Sequence, residues 1–247
     1  MITKKEILFI KELQSKEIRN DLGMFIAEGP TIVNDLLKRG IEYYKIYSTV
    51  DYPFLYNIPS VEIITVKDLE RISSMKTPNS ILGIFYQKPS ITLREMQTCD
   101  NILILNDIQD PGNMGTILRT AEWLGYFNII STLNSVDLYN PKVVQSSMGS
   151  VVGINMIYLN LDEINILCYS HTLLATDTDG EDIREVKITG HFALIIGNEG
   201  NGIDEKLLSM ATKKIKIPRN NVSNLPESLN AATAAAICMW QLTISNS

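Results

Sequence analysis

Three loops of this chain carry residue types able to do chemistry. The first is Asn106-Asp107-Ile108-Gln109-Asp110-Pro111-Gly112-Asn113-Met114-Gly115, with Arg119-Thr120-Ala121 just beyond it. It follows the apolar run Ile102–Leu105 and opens a helix, so its backbone N–H groups and the helix dipole can hold an anion. Asn113 is the expected N-cap, after a tight Pro111-Gly112 turn. Six helical steps rotate by about 600°, which sets Arg119 some 120° from Asn113, so the two need not share a face. Ile117, Leu118, Ala121 and Leu124 supply the buried face, which leaves Arg119 aimed elsewhere, toward the loop crevice or simply into solvent. The second loop, Ile196-Gly197-Asn198-Glu199-Gly200-Asn201-Gly202-Ile203, has glycines that permit close backbone approach to a ligand. It is neither a Walker A loop nor a dinucleotide fingerprint, and a plain strand-to-helix turn accounts for it equally well. The third runs from Ile217-Pro218-Arg219 through Glu227-Ser228-Leu229-Asn230 into an alanine-rich helix, with Ser228 or Asn230 as its cap.

Other chemistries find no support. His171 and His191 have no cysteine or carboxylate at metal-binding spacing, so packing or surface roles are expected for them and no metal is. No Ser/His/Asp set can be assembled. Asp177-Thr178-Asp179-Gly180 lacks the downstream Glu of a calcium loop and reads as a solvated turn.

The positioning elements alternate. Over residues 1–98 the patterning predicts helices at 4–17, 31–38 and 67–75, and strands at 25–29, 44–48, 62–66 and 81–87. A polar, irregular stretch at 88–100 is the expected linker. Beyond it, strands at 102–105, 128–131, 172–176, 192–196 and 213–217 alternate with helices at 113–124 and 227–242. Such alternation predicts a mostly parallel α/β sheet covered on both sides, with ligands outside the carboxyl ends of the strands. The three loops all fall at such ends.

The chain has 247 residues, 45% apolar and 20% charged, an ordinary globular composition. No apolar run approaches the ~18 residues of a bilayer span, and the N-terminus lacks the order of a secretory signal. Three scattered cysteines, Cys99, Cys168 and Cys238, read as small buried hydrophobes in a reducing, cytoplasmic setting. The net charge of −6 argues against non-specific coating of nucleic acid, yet it divides unevenly, about +1 over 1–98 and −7 over 99–247.

Taken in order, the three loops resemble the SpoU (TrmH-type) RNA ribose methyltransferases of the SPOUT superfamily. The carriers are Asn113-Met114-Gly115 with Arg119-Thr120-Ala121, Gly197-Asn198-Glu199-Gly200-Asn201-Gly202, and Glu227-Ser228-Leu229-Asn230. The resemblance implies a methyltransferase domain at 99–247 with a trefoil knot, working as a homodimer. It also implies a smaller α/β substrate-binding domain at 1–95, similar to small ribosomal RNA-binding proteins. S-adenosylmethionine is then held largely by backbone around Thr176, Gly197, Ile217 and Leu229. The implied reaction is methyl transfer to a ribose 2′-OH, in ribosomal RNA ahead of transfer RNA. Arg119 is the implied centre, with Asn113, Glu199, Ser228 and Asn230 shaping the site. A guanidinium is normally never deprotonated, so charge stabilisation or a phosphate clamp suits Arg119 better than a base. An inactive RNA-binding protein of the same fold is the alternative; the intact motif residues speak against it. Three departures stand out. Gln145 replaces a commonly basic residue, and the stretch between Pro218 and Glu227 is about three residues longer than the family pattern. The basic charge is low for an RNA enzyme, clustered at Lys213-Lys214, Lys216 and Arg219 with Lys4-Lys5 and Lys38-Arg39 as smaller pairs.

Overall fold

The structure is a computed structural model that describes residues 2–220 and 228–245. In chain order the elements are α1 (Lys4–Glu12), α2 (Lys16–Leu22), β1 (Met24–Glu28), α3 (Pro30–Lys38), β2 (Tyr43–Ser48), β3 (Val61–Ile63), α4 (Val66–Ile72) and β4 (Ile81–Tyr86). Then follow α5 (Leu93–Gln97), β5 (Asn101–Leu105), α6 (Pro111–Leu124), β6 (Asn128–Thr132), α7 (Pro141–Ser146), β7 (Asn155–Leu159) and α8 (Leu161–Leu167). The last are β8 (Thr172–Asp182), β9 (Phe192–Ile196), α9 (Glu205–Met210), β10 (Lys213–Lys216) and α10 (Ala231–Ser245). The chain forms two compact units, 1–89 with 137–152, and 90–136 with 153–247.

In the first unit a four-stranded sheet has the order β1-β4-β2-β3, antiparallel except for the parallel β2–β3 pair. The expected opening helix is broken. Arg19 donates to the carbonyls of Leu13 (3.1 Å) and Gln14 (2.7 Å), which a continuous helix would bond to its own N–H groups. The same guanidinium is buried and paired with Asp137, which holds the segment 137–152 and its α7 on this unit. Tyr139 packs its ring on Phe25 at 4.8 Å between centroids. The strand expected at 62–66 is cut short because Thr65 caps α4, accepting from the Asp68 N–H at 3.1 Å.

In the second unit six strands, in the order β10-β8-β9-β5-β6-β7, pair in parallel throughout. Ile102, Ile104, Ile130, Ala193 and Ile195 face Ile164, Leu167 and Leu207 of α8 and α9 on one side. Alternation along the strands sends Leu103, Leu105 and Leu194 to the other side, where α6 and α10 pack together. The linker expected at 88–100 contains a helix, α5, closed by a capping box between Thr92 and Glu95. β8 runs past its expected end: the register with β10 jumps from Lys214↔Ala175 to Ile215↔Glu181, so residues 176–180 leave the ladder as a bulge. Gly180 allows its return, since a Cβ there would lie 2.7 Å from the backbone of Lys214 and Ile215. Among the described residues no helix is long and apolar enough to cross a membrane. Cys168 and Cys238 are buried, whereas Cys99 is partly exposed, and all three are free thiols.

Candidate active site

Asn113 does not cap α6. Asp110 does, its carboxylate accepting from the Asn113 N–H at 2.8 Å, with Pro111 at the first helical position. Proline there loses no bond that a helix could use, and Asp before Pro is the sequence signal for this cap. Asn113 therefore sits inside the first turn, its side chain not engaged as a cap.

That side chain reaches across to the second loop. Asn113 Nδ2 donates to Glu199 Oε1 in a short hydrogen bond. Asn230 Nδ2 donates to Asn113 Oδ1 at 2.8 Å and approaches Glu199 Oε1 at 3.5 Å. The Ala231 N–H, first of α10, donates to the same carboxylate oxygen at 3.3 Å. Asn230 also caps α10, its Oδ1 accepting from Ala232 at 3.1 Å and Thr233 at 3.2 Å. Residues from all three loops thus meet at one oxygen. Glu199 is half-buried at the N-terminus of α10. Its Oε2 has no hydrogen-bond partner among the described residues.

The other expected site residues stand apart from this cluster. Arg119 is exposed on α6, about 9 Å further along the helix by its rise per residue. Among the described residues it pairs with no carboxylate. Ser228 is exposed and makes no side-chain bond among the described residues, and Glu227 lies outside them. Thr176 donates its hydroxyl to the Ile195 carbonyl at 3.0 Å, at the point where β8 begins its bulge. Gly197 follows β9, the neighbouring strand. A Cβ there would lie 2.5 Å from the Gly202 carbonyl carbon, so the loop's own closure already demands this glycine. Ile217 is half-buried just beyond β10, and Leu229 is 46% exposed just before α10.

The bulge and β10 carry compensating charges. Lys214 pairs with Asp177 at 3.0 Å and Lys213 with Glu181 at 3.5 Å, and the first contact holds the Asp177 carboxyl below its usual range. The Asp-rich stretch is thus a bulge paired through Asp177 rather than a solvated turn, and Lys213 and Lys214 are both engaged by carboxylates. His171 bonds the Cys99 carbonyl at 2.8 Å and His191 pairs with Asp100 at 2.8 Å, both packing or surface contacts. Among the described residues no group of three or more His, Cys, Asp or Glu could hold a metal.

Residues 100–240 match the SpoU rRNA Methylase family. A 23S rRNA (guanosine(2553)-2'-O)-methyltransferase, RlmP, of Bacillus subtilis is 28% identical over 246 residues, covering 94% of this chain and 93% of its own length. A TrmH-family protein from Porphyromonas gingivalis superposes with a TM-score of 0.84 at 28% identity, over 98% of each chain. An AdoMet-bound rRNA methyltransferase from Sinorhizobium meliloti gives 0.83 at 26% identity, over 98% of this chain and 95% of that one.

Proposed function

This chain belongs to the SpoU rRNA methylase family, and on that premise we propose that it transfers a methyl group from S-adenosylmethionine to a ribose 2′-hydroxyl of ribosomal RNA. The observation that carries the reading is the convergence of Asn113, Glu199 and Asn230 on one oxygen at the carboxyl edge of a parallel sheet. An incidental trio of loops has no reason to meet there.

Backbone around Thr176, Gly197, Ile217 and Leu229 holds the cofactor in this reading. The residues fit: Thr176 and Gly197 leave neighbouring strands, and half-buried Ile217 and exposed Leu229 offer apolar surface to a purine. When bound, S-adenosylmethionine supplies an electrophilic sulfonium methyl. A ribose hydroxyl is a poor nucleophile until its proton passes to water and the negative charge left on its oxygen is met. Arg119 meets it, or clamps the adjacent phosphate, because its guanidinium keeps its proton and its charge. The exposed, unpaired state of Arg119 among the described residues leaves that charge available to RNA. Asn113, Glu199, Ser228 and Asn230 shape the pocket around the hydroxyl.

The remainder of the reading follows from the same family. Residues 1–95 form the RNA-binding domain and 99–247 the knotted methyltransferase domain, in a cytoplasmic homodimer. Ile237, Trp240 and Ile244 repeat at helical spacing on α10 as one exposed apolar stripe, and neighbouring α6 exposes Trp123 at 89%. A second copy is the expected cover, so Trp240→Glu should give a monomer in sedimentation.

Titration with S-adenosylmethionine by calorimetry, followed by methylation mapping of ribosomal RNA, tests the reading. Binding with a new 2′-O-methyl is expected; no binding overturns it, and methylated transfer RNA alone would replace the substrate. Arg119→Ala should lose transfer by about 10²-fold or more while binding the cofactor nearly as before. Loss of both together would make Arg119 structural.

A further inference from the structure

We infer that Asn198 is a positioning residue for methyl transfer: its amide ties the turn before α6 to the glycine loop and so sets Glu199 against Asn113. The inference rests on the methyltransferase reading above. Asn198 Nδ2 donates to the Asp107 carbonyl at 2.9 Å, across the two loops. Its Oδ1 accepts from the N–H groups of Gly200 at 2.8 Å and Asn201 at 3.3 Å, within its own loop. Its backbone exchanges two bonds with Gly202, 3.0 and 2.9 Å long, which close that loop. One side chain therefore fixes both segments, and the residue after it is Glu199.

The far end of the tie is a committed conformation. Asp107 holds φ at +55°, a left-handed backbone that Asp and Asn adopt at modest cost. Thr132 secures it twice, accepting from the Asp107 N–H at 2.8 Å and donating to its Oδ1 at 2.6 Å. The next N–H, of Ile108, donates to Ser135 Oγ at 3.1 Å. On the other side of the turn, Asn106 Oδ1 accepts from the Asp204 N–H at 2.6 Å, at the end of the glycine loop. From that turn the chain runs to the Asp110 cap and then to Asn113, whose amide meets Glu199. Ångström errors in such an arrangement are costly, since about 1 Å of misplacement can lower a rate 10²-fold.

Two substitutions separate the tie between loops from the bonds within one loop. Asn198→Asp keeps the acceptor for Gly200 and Asn201 but cannot donate to Asp107, whose carbonyl it would repel. Asn198→Ala removes both arms. Both variants should lower kcat about tenfold with KM for RNA within ~3-fold of the parent. In a Glu199→Gln background Asn198→Ala should add little further loss, because the effect runs through Glu199. Hydrogen exchange of the free protein supplies a readout independent of turnover. Both variants should speed exchange at residues 106–110, and only Asn198→Ala should speed it at Gly200 and Asn201. Parent-like kcat and exchange in Asn198→Asp would overturn the inference, as would fully additive losses in the double variant. A parent protein that neither binds S-adenosylmethionine nor methylates RNA would instead sink the functional reading, while the exchange pattern would still decide whether the tie exists.

Discussion

Glu28 and Glu199 are a matched pair in the two units. Glu28 ends β1 and Glu199 lies three residues beyond β9; each is followed by a glycine and each accepts hydrogen bonds from another segment. Their surroundings diverge. Glu28 is 4% exposed, and both its oxygens are taken by one short segment: Ser74 N–H at 2.9 Å and Ser74 hydroxyl at 2.7 Å on Oε1, with the Ser73 hydroxyl on Oε2. Glu199 is half-buried, takes all its donors on Oε1, and draws them from α6 and from the start of α10. A buried carboxylate with both oxygens engaged by one segment is a fastener. One with an oxygen still open, at the meeting point of three loops, is placed to act on something else.

Substitution should pull the two apart. The largest effect belongs to Glu199→Gln, which keeps an acceptor for Asn113 and Ala231 but removes the charge. Methyl transfer should fall about 10²-fold or more while the thermal midpoint hardly moves. Equal losses of rate and stability would erase the distinction. Glu28→Ala should do the reverse. It removes the hydrogen bonds that the buried carboxylate accepts from half-buried Ser73 and exposed Ser74, a cost of ~2–3 kcal/mol in unfolding free energy. Rate per folded molecule should stay near that of the parent, and a denaturant titration beside a rate measurement reads both.

Much of this frame is legible in the sequence. The strand at 192–196 falls where the apolar run predicts it, and the alternation of the second half specifies a parallel sheet with its chemistry at the carboxyl ends. Asn113, Glu199 and Asn230 are visible as motif residues. Their meeting at one oxygen is not, because 86 residues separate Asn113 from Glu199 and 117 separate it from Asn230. The same limit hides the Arg19–Asp137 pair, whose partners are 118 residues apart and which assigns 137–152 to the first unit. The bulge at 176–180 exists only relative to β10, so no local pattern announces it. β7 escapes because its burial does not alternate. The Asp110 cap, by contrast, was readable: Asp-Pro outranks an asparagine two residues further on.

Asn230 tests whether fastening and acting can reside in one side chain. Asn230→Ala removes the α10 cap, about 1 kcal/mol, and also the bond to Asn113. Stability and rate should both fall, the rate about tenfold. Asn230→Asp separates the two roles, since it still caps the helix but cannot donate to Asn113 and sets a second carboxylate beside Glu199. Its stability loss should be smaller than that of the alanine variant and its rate loss at least as large. Equal rates for Asn230→Asp and the parent would confine Asn230 to fastening.

The smallest effect concerns a third carboxylate, held by a cation together with its own helix cap. Glu6 meets Lys45 at 2.6 Å and closes the capping box of α1 with Thr3. The Lys45 hydrogen bond, then those of Thr3, bring the Glu6 pKa down from 4.5 to about 2. A carboxyl whose folded pKa is depressed contributes stability that is fully present above its unfolded pKa and is lost as pH falls toward the folded value. The thermal midpoint should therefore carry a Glu6-dependent decline between pH 4.5 and about 2. Glu6→Gln should lower the midpoint slightly at neutral pH and flatten the decline across that window. Lys45 also pairs with Glu62 at 2.7 Å, so the substitution leaves the lysine a partner and the structure intact. A decline of unchanged steepness in Glu6→Gln would mean that other carboxylates carry the acid sensitivity, and that the cation fastens β2 to β3 rather than to α1.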